Sequence, residues 1–183
     1  MAVNYFLQLS DPVNGPKMPA GESLNKVHAG WIEISSFSFG EANPIAIGSA
    51  TAGAGAGKVK FNEFQITKQV DSTSAALFQL CASGGHMPTM VLAVAKSAGA
   101  TATSTDYLKF EFHLVFVSSI TWANGDATPV ETITFAYGAL GLAYRAQDPS
   151  GTFSTKPLVG TWSQVYNSPT DSTTPFTQLT QLT

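Results

Sequence analysis

The sequence predicts a mainly β fold with one short α-helix on its flank, and three observations predict it. Apolar side chains recur with a period of two along much of the chain, three of the strands so defined slip phase midway, and one segment carries helical spacing. Val3, Tyr5, Leu7 and Leu9 place the first strand at the start of the sequence. Ile32 and Ile34 then hand over to Phe37 and Phe39 across Ser35-Ser36, and Val59 and Phe61 hand over to Phe64 and Ile66 across Asn62-Glu63. Asp71 to Ala82 breaks the β pattern, with a cap-type residue at its start, Leu77, Phe78, Cys81 and Ala82 at helical spacing, and Gly84-Gly85 as a stop. Met90, Leu92 and Val94 mark another strand before Lys96. From Tyr107 to Val117, Leu108, Phe110, Phe112, Leu114 and Phe116 alternate with Lys109, Glu111 and His113, which predicts one apolar face and one polar face where His113 is exposed or at an interface. Ile133, Phe135 and Tyr137 hand over to Leu140, Leu142 and Tyr144 across Gly138-Ala139. An extra residue at each slip is what a β-bulge supplies, and bends of this kind coil a sheet into a barrel.

A length of 183 residues is that of one domain, and 44% hydrophobic residues supply enough apolar surface for a core. Only 11% of residues are charged, nine Lys and Arg against twelve Asp and Glu, for a net charge of −3. Binding to a nucleic-acid backbone or an anionic membrane needs clustered cations, so neither partner is expected. A surface so poor in charge suits a protein whose faces are covered by neighbours. Cys81 is the sole cysteine, so no intramolecular disulfide can form and folding in a reducing compartment is compatible. Met1 to Leu9 lacks a basic start and alternates apolar with polar residues, unlike a signal peptide. No run approaches the roughly 18 apolar residues of a membrane span, so no membrane insertion is expected.

The patterns that could carry chemistry are incomplete. Gly53-Ala54-Gly55-Ala56-Gly57-Lys58 resembles a phosphate cradle, but Val59 stands where a Walker loop has Ser or Thr, and Lys58 begins a strand where a helix should open. His28, His86 and His113 lie on different elements without metal-ligand spacing. Cys81 falls near the helix C-terminus, where the dipole disfavours a thiolate, and reads as a small buried hydrophobe rather than the nucleophile of a pair with His86. No Gly-x-Ser-x-Gly elbow occurs, and Trp31, Trp122 and Trp162 read as core or interface side chains. No catalytic residue, metal or cofactor is expected. The stretch from Glu41 to Gly57 is long for a connection within one domain and needs a purpose of its own.

The order of residues carries a resemblance. Met1-Ala2-Val3-Asn4-Tyr5-Phe6-Leu7, Gly21-Glu22-Ser23, His28-Ala29-Gly30-Trp31-Ile32-Glu33-Ile34-Ser35-Ser36-Phe37-Ser38-Phe39-Gly40, Gly57-Lys58-Val59, Thr67-Lys68-Gln69-Val70-Asp71 and Ser83-Gly84-Gly85-His86 succeed one another. Together they resemble the haemolysin-coregulated protein (Hcp) family, the tube proteins of type VI secretion. The resemblance runs from about Met1 to Trp162, with Phe39 where the family often has Trp and Ser74-Ala75 where it often has Ser-Pro.

That resemblance implies a coiled β-barrel of two packed antiparallel sheets with the helix on its flank. Six copies would close head-to-tail into a ring, and rings would stack into the inner tube that a contracting sheath expels. The extended loop from Glu41 to Lys58 would reach the adjacent ring, with Glu41, Pro44, Ile45, Ile47, Gly53, Gly55, Gly57 and Lys58 as its stacking residues. Sheath, baseplate and spike proteins and small effectors in the lumen would be the other partners. Assembly would take place in the bacterial cytoplasm, followed by secretion without an N-terminal signal. The expected organisation is a barrel domain over 1–162 and a Ser/Thr-rich flexible tail over 163–183. The alternatives are a phage-like tail-tube or baseplate protein and a secreted carbohydrate-binding β module using Trp122 or Trp162.

Overall fold

The computed structural model describes residues 3–46, 55–96, 105–126, 128–171 and 174–182. Among these the order is β1 (Val3–Leu9), β2 (Ile32–Ile34), β3 (Ser36–Ser38), β4 (Glu41–Ala42), β5 (Ile45–Ala46), β6 (Gly55–Ala56), β7 (Lys60–Phe61), β8 (Phe64–Gln69), α1 (Ser74–Ser83), β9 (His86–Lys96), β10 (Thr105–Ala123), β11 (Val130–Tyr144) and β12 (Leu158–Ser163). The main sheet runs β2-β1-β9-β10-β11-β8-β3, with β12 also on β11.

The first phase slip closes this sheet on itself. β2 pairs with β1 at one edge and β3 pairs with β8 at the other, yet only Ser35 separates them. The Ser35 amide donates to the Thr67 carbonyl at 2.8 Å, so one bent run from Ile32 to Ser38 joins both edges. The two expected sheets are thus the facing walls of one coiled sheet. Inside it Phe64 stacks obliquely on Phe112 with ring centres 4.7 Å apart, and Phe112 meets Tyr137 edge-on at 5.0 Å. Burial of such rings stabilises the fold by about 1.5–3 kcal/mol each.

The slip at Gly138 is shared by two strands, which the sequence reading did not anticipate. Val115 lies opposite Tyr137 and Phe112 opposite Leu140, so both strands shift their inward face across the Leu114/Gly138 position. Leu114 makes the shift with a left-handed backbone, φ 53°, a conformation that costs a Leu about 1–3 kcal/mol. A Cβ on Gly138 would come within 2.9 Å of Val165 Cγ2 and 3.1 Å of Leu114 Cδ2, so a larger residue there would have to displace these side chains. Leu114 and Phe116, expected on the apolar face with Phe112, are therefore turned outward, and Val115 and Val117 take their place in the core.

The helix starts at Ser74, three residues later than Asp71, because the Asp71 side chain is engaged in a turn: its Oδ1 accepts from the Thr73 amide at 2.8 Å. Gly84, φ 68°, stops it as expected. Leu77 and Leu80 are buried in the barrel core, and the half-buried Cys81 packs against the same core. A buried polar cluster fastens the helix to the wall. Lys68 Nζ lies 2.7 Å from both Asp71 and Glu131, and Glu131 also accepts from Ser74 Oγ at 2.6 Å and Trp122 Nε1 at 2.9 Å.

His28, next to the turn at Ala29-Gly30, is buried, with its ring flat on Phe6 at 4.3 Å and Nε2 3.0 Å from Asp106. One expectation of exposure is corrected. His113, Glu111 and Lys109 are buried too, because the segment expected as a flexible tail lies across them. Its Leu179 is 1% exposed and its Phe176 stacks on His113. A Ser/Thr-rich composition hid these two apolar anchors. β12 ends at Ser163, one residue past the expected boundary.

Candidate assembly interface

Where the sequence suggested a loop from Glu41 to Lys58, the described residues of that stretch form a two-stranded arm. Glu41 and Ala42 pair with Phe61 and Lys60, and Ile45 and Ala46 pair with Ala56 and Gly55. Between the two ladders the Gly57 amide donates to the Pro44 carbonyl at 3.1 Å. A Cβ on Gly57 would sit 2.6 Å from Pro44 Cγ, so only glycine lets the two strands approach. The ribbon places Glu41, Pro44, Ile45, Gly55, Gly57 and Lys58 together, whereas Ile47 and Gly53 lie outside the described residues.

The arm leaves the barrel over a fixed base. The Phe61 ring stacks on Tyr137 at 5.2 Å, and the Phe61 amide donates to Gln164 Oε1 at 2.6 Å. Burial, and after it the nearby Glu41 carboxylate, push the Tyr137 phenol well above the usual tyrosine range, so it stays protonated. Beyond this base the side chains from Glu41 to Ile45 are exposed, Ile45 at 62%. An apolar ribbon presented to water gains free energy only when something covers it.

A second surface, absent from the sequence reading, adjoins the base. Phe39, Phe110, Leu140, Leu142 and Trp162 line an open cleft of about 380 Å³. Its rim continues over Tyr144, Leu158 and Val159, all exposed. β12 is paired with β11 on one side; on its other side Ser163 bridges Ser168, and among the described residues no strand pairs with the rest of that edge. The open part of the edge, beside an apolar rim, is a surface on which another chain can continue the sheet. The run Leu158-Val159-Gly160-Thr161-Trp162 after Pro157 was the sequence signal for this strand.

The remaining candidates for chemistry stay apart. Among the described residues no group of three or more His, Cys, Asp or Glu side chains could hold a metal ion. His86 packs its ring on Phe116 at 5.3 Å, and no helix among the described residues is long and apolar enough to cross a membrane. Trp122 is half exposed beside Phe78, and Trp162 lines the cleft.

Comparison with known proteins points the same way. The family model described as "Type VI secretion system effector, Hcp" matches residues 6–144. Protein hcp1 of Pseudomonas aeruginosa is 28% identical over 165 residues, covering 89% of this chain and 96% of that protein. A solved type six secretion system protein is 29% identical with a TM-score of 0.78, covering 91% of this chain and 99% of that one. Hcp1 from Salmonella typhimurium, 21% identical, shares the fold with a TM-score of 0.66 over 92% of this chain and 99% of that one.

Proposed function

Because the chain belongs to the Hcp family of the type VI secretion system and is a structural tube subunit, we propose that its arm, from Glu41 to Lys58, is the contact through which rings of this subunit stack. Six copies close head-to-tail into a ring, a geometry that needs two different complementary faces on each subunit. The arm and the cleft with its β12 edge are unlike surfaces, and the arm is assigned to the contact between rings rather than to the closure of one. Stacked rings form the inner tube that a sheath expels, with baseplate and spike proteins at its end and small effectors in its lumen. Assembly takes place in the bacterial cytoplasm, and the tube is then secreted. The role is mechanical, and no covalent step is assigned to any residue. The family match does not favour a phage tail-tube protein or a secreted carbohydrate-binding module.

The observation that carries the stacking reading is the arm itself: a ribbon anchored at Phe61 and Tyr137 whose residues from Glu41 to Ile45 are exposed. Deleting Ala50 to Ala56 shortens it without touching the base. The shortened protein should keep its circular dichroism spectrum and its ring mass by light scattering, while electron micrographs lose long tubes. Tubes of normal length from the deletion protein would refute the stacking role.

A further inference from the structure

We propose that the outer face of β10 and β11 is a peptide-binding groove, and that Asp171 with residues 174–182 of this chain is its ligand, bound in cis. Its bank is the row Lys109, Glu111, His113, spaced two residues apart and so about 7 Å from one another along the strand. Its floor is the row opposite, Ala143, Gly141 and Ala139, which is small enough to admit large side chains.

Each rung of the bank reads a different part of the ligand. Lys109 Nζ donates to the Gln181 carbonyl at 2.8 Å, and Glu111 Oε2 accepts from the Gln178 amide at 2.9 Å. His113 bridges two carboxylates, with Nε2 3.2 Å from Glu111 and Nδ1 3.0 Å from Asp171. The Phe176 ring lies nearly parallel to the imidazole, 4.1 Å away. Phe176 and Leu179 fill the space above Gly141, where a Cβ would come within 2.7 Å and 2.5 Å of them. Two of these contacts are to backbone, the Gln178 amide and the Gln181 carbonyl, and these two residues flank a turn closed by the Gln181 amide donating to the Gln178 carbonyl at 3.3 Å. The Asp171 carboxylate, Phe176 and Leu179 supply the selection, so the ligand class is a peptide ending in a turn, with an acidic, an aromatic and an aliphatic residue at those intervals.

The ligand is held from one side only. Residues 174–182 join no strand ladder, and Thr177 and Thr180 face solvent. The three ionisable side chains beneath are each almost wholly hidden and each has a partner, which a face meant for water does not require. The groove is therefore built for its occupant, while the occupant contributes little to the barrel interior.

The test uses the full chain carrying Phe176→Ala and Leu179→Ala, which loosens the ligand, titrated with a fluorescent synthetic peptide of residues 169–182. Saturable binding is expected, about ten-fold weaker to the unmodified chain, whose groove is occupied, and about ten-fold weaker when Gly141→Val is added to the variant. Equal binding to all three proteins, or no binding to a folded variant, overturns the proposal. Hydrogen exchange on the unmodified chain decides the matter even where the variant does not fold. The Gln178 amide should exchange about 100-fold faster than that of Phe112, by opening of the ligand alone. Exchange of both at one rate would make the segment part of the barrel's cooperative core and overturn the groove.

Discussion

The two faces of β10 are equally hidden from water and are hidden by opposite means. Inward, Phe110 and Phe112 meet other aromatic rings, and removal from water is itself the favourable step, worth about 25 cal/mol per Å². Outward, Lys109, Glu111 and His113 lose their hydration, and that loss is offset by polar partners, some within the barrel wall and one for each on the docked segment. The inner face tolerates imprecise packing at moderate cost. The outer face depends on every pairing at once, since removing one partner strands another charge.

The sharpest way to break the comparison is to weaken each face in turn. Phe112→Ala should destabilise the subunit by about 3–5 kcal/mol, the sum of lost transfer energy and a cavity among Phe39, Phe64 and Tyr137. Urea denaturation of the two proteins measures it, and a loss under about 1 kcal/mol would mean the ring contributes no more than an exposed side chain. Glu111→Ala should cost less, about 1–3 kcal/mol, by leaving His113 Nε2 and the Gln178 amide unpaired. A cost equal to that of Phe112→Ala would erase the distinction between the faces. Smaller again is Gly141→Val, which pushes Phe176 and Leu179 off their seat but leaves the barrel wall intact. It should cost about 1 kcal/mol or less in global stability while making the segment after Ser168 cleavable by protease.

Period two showed which side chains of β10 share a face, and it could not show what covers that face. Lys109, Glu111 and His113 read as solvent-facing because the cover comes from residues more than fifty positions away in a stretch of Ser and Thr. The bends were more legible. Ser35 and Gly138 both sit where the apolar phase slips, and both are where the chain changes partner or turns. Leu114 escaped notice because nothing in a Leu announces a left-handed backbone, and its conformation moved Phe116 to the surface. The arm was half legible. Its glycines pointed to a loop, yet Gly57 serves to bring two strands together over Pro44.

The arm supplies the smallest effect on the subunit and the cleanest separation of folding from assembly. Ile45 is exposed and lies in a ladder of two residue pairs, so Ile45→Ser removes almost no buried surface within the chain. Its stability should fall by no more than the fraction of a kcal/mol typical of surface substitutions, under about 0.5 kcal/mol, which moves the thermal midpoint by about 2 °C or less. If neighbouring rings cover the arm, the same change removes an apolar contact repeated at every stacking interface. Tube length in micrographs should then shorten while ring mass stays constant. A marked drop in the thermal midpoint with normal tubes would reverse the assignment, making Ile45 a residue of the fold and leaving stacking to the cleft and the β12 edge.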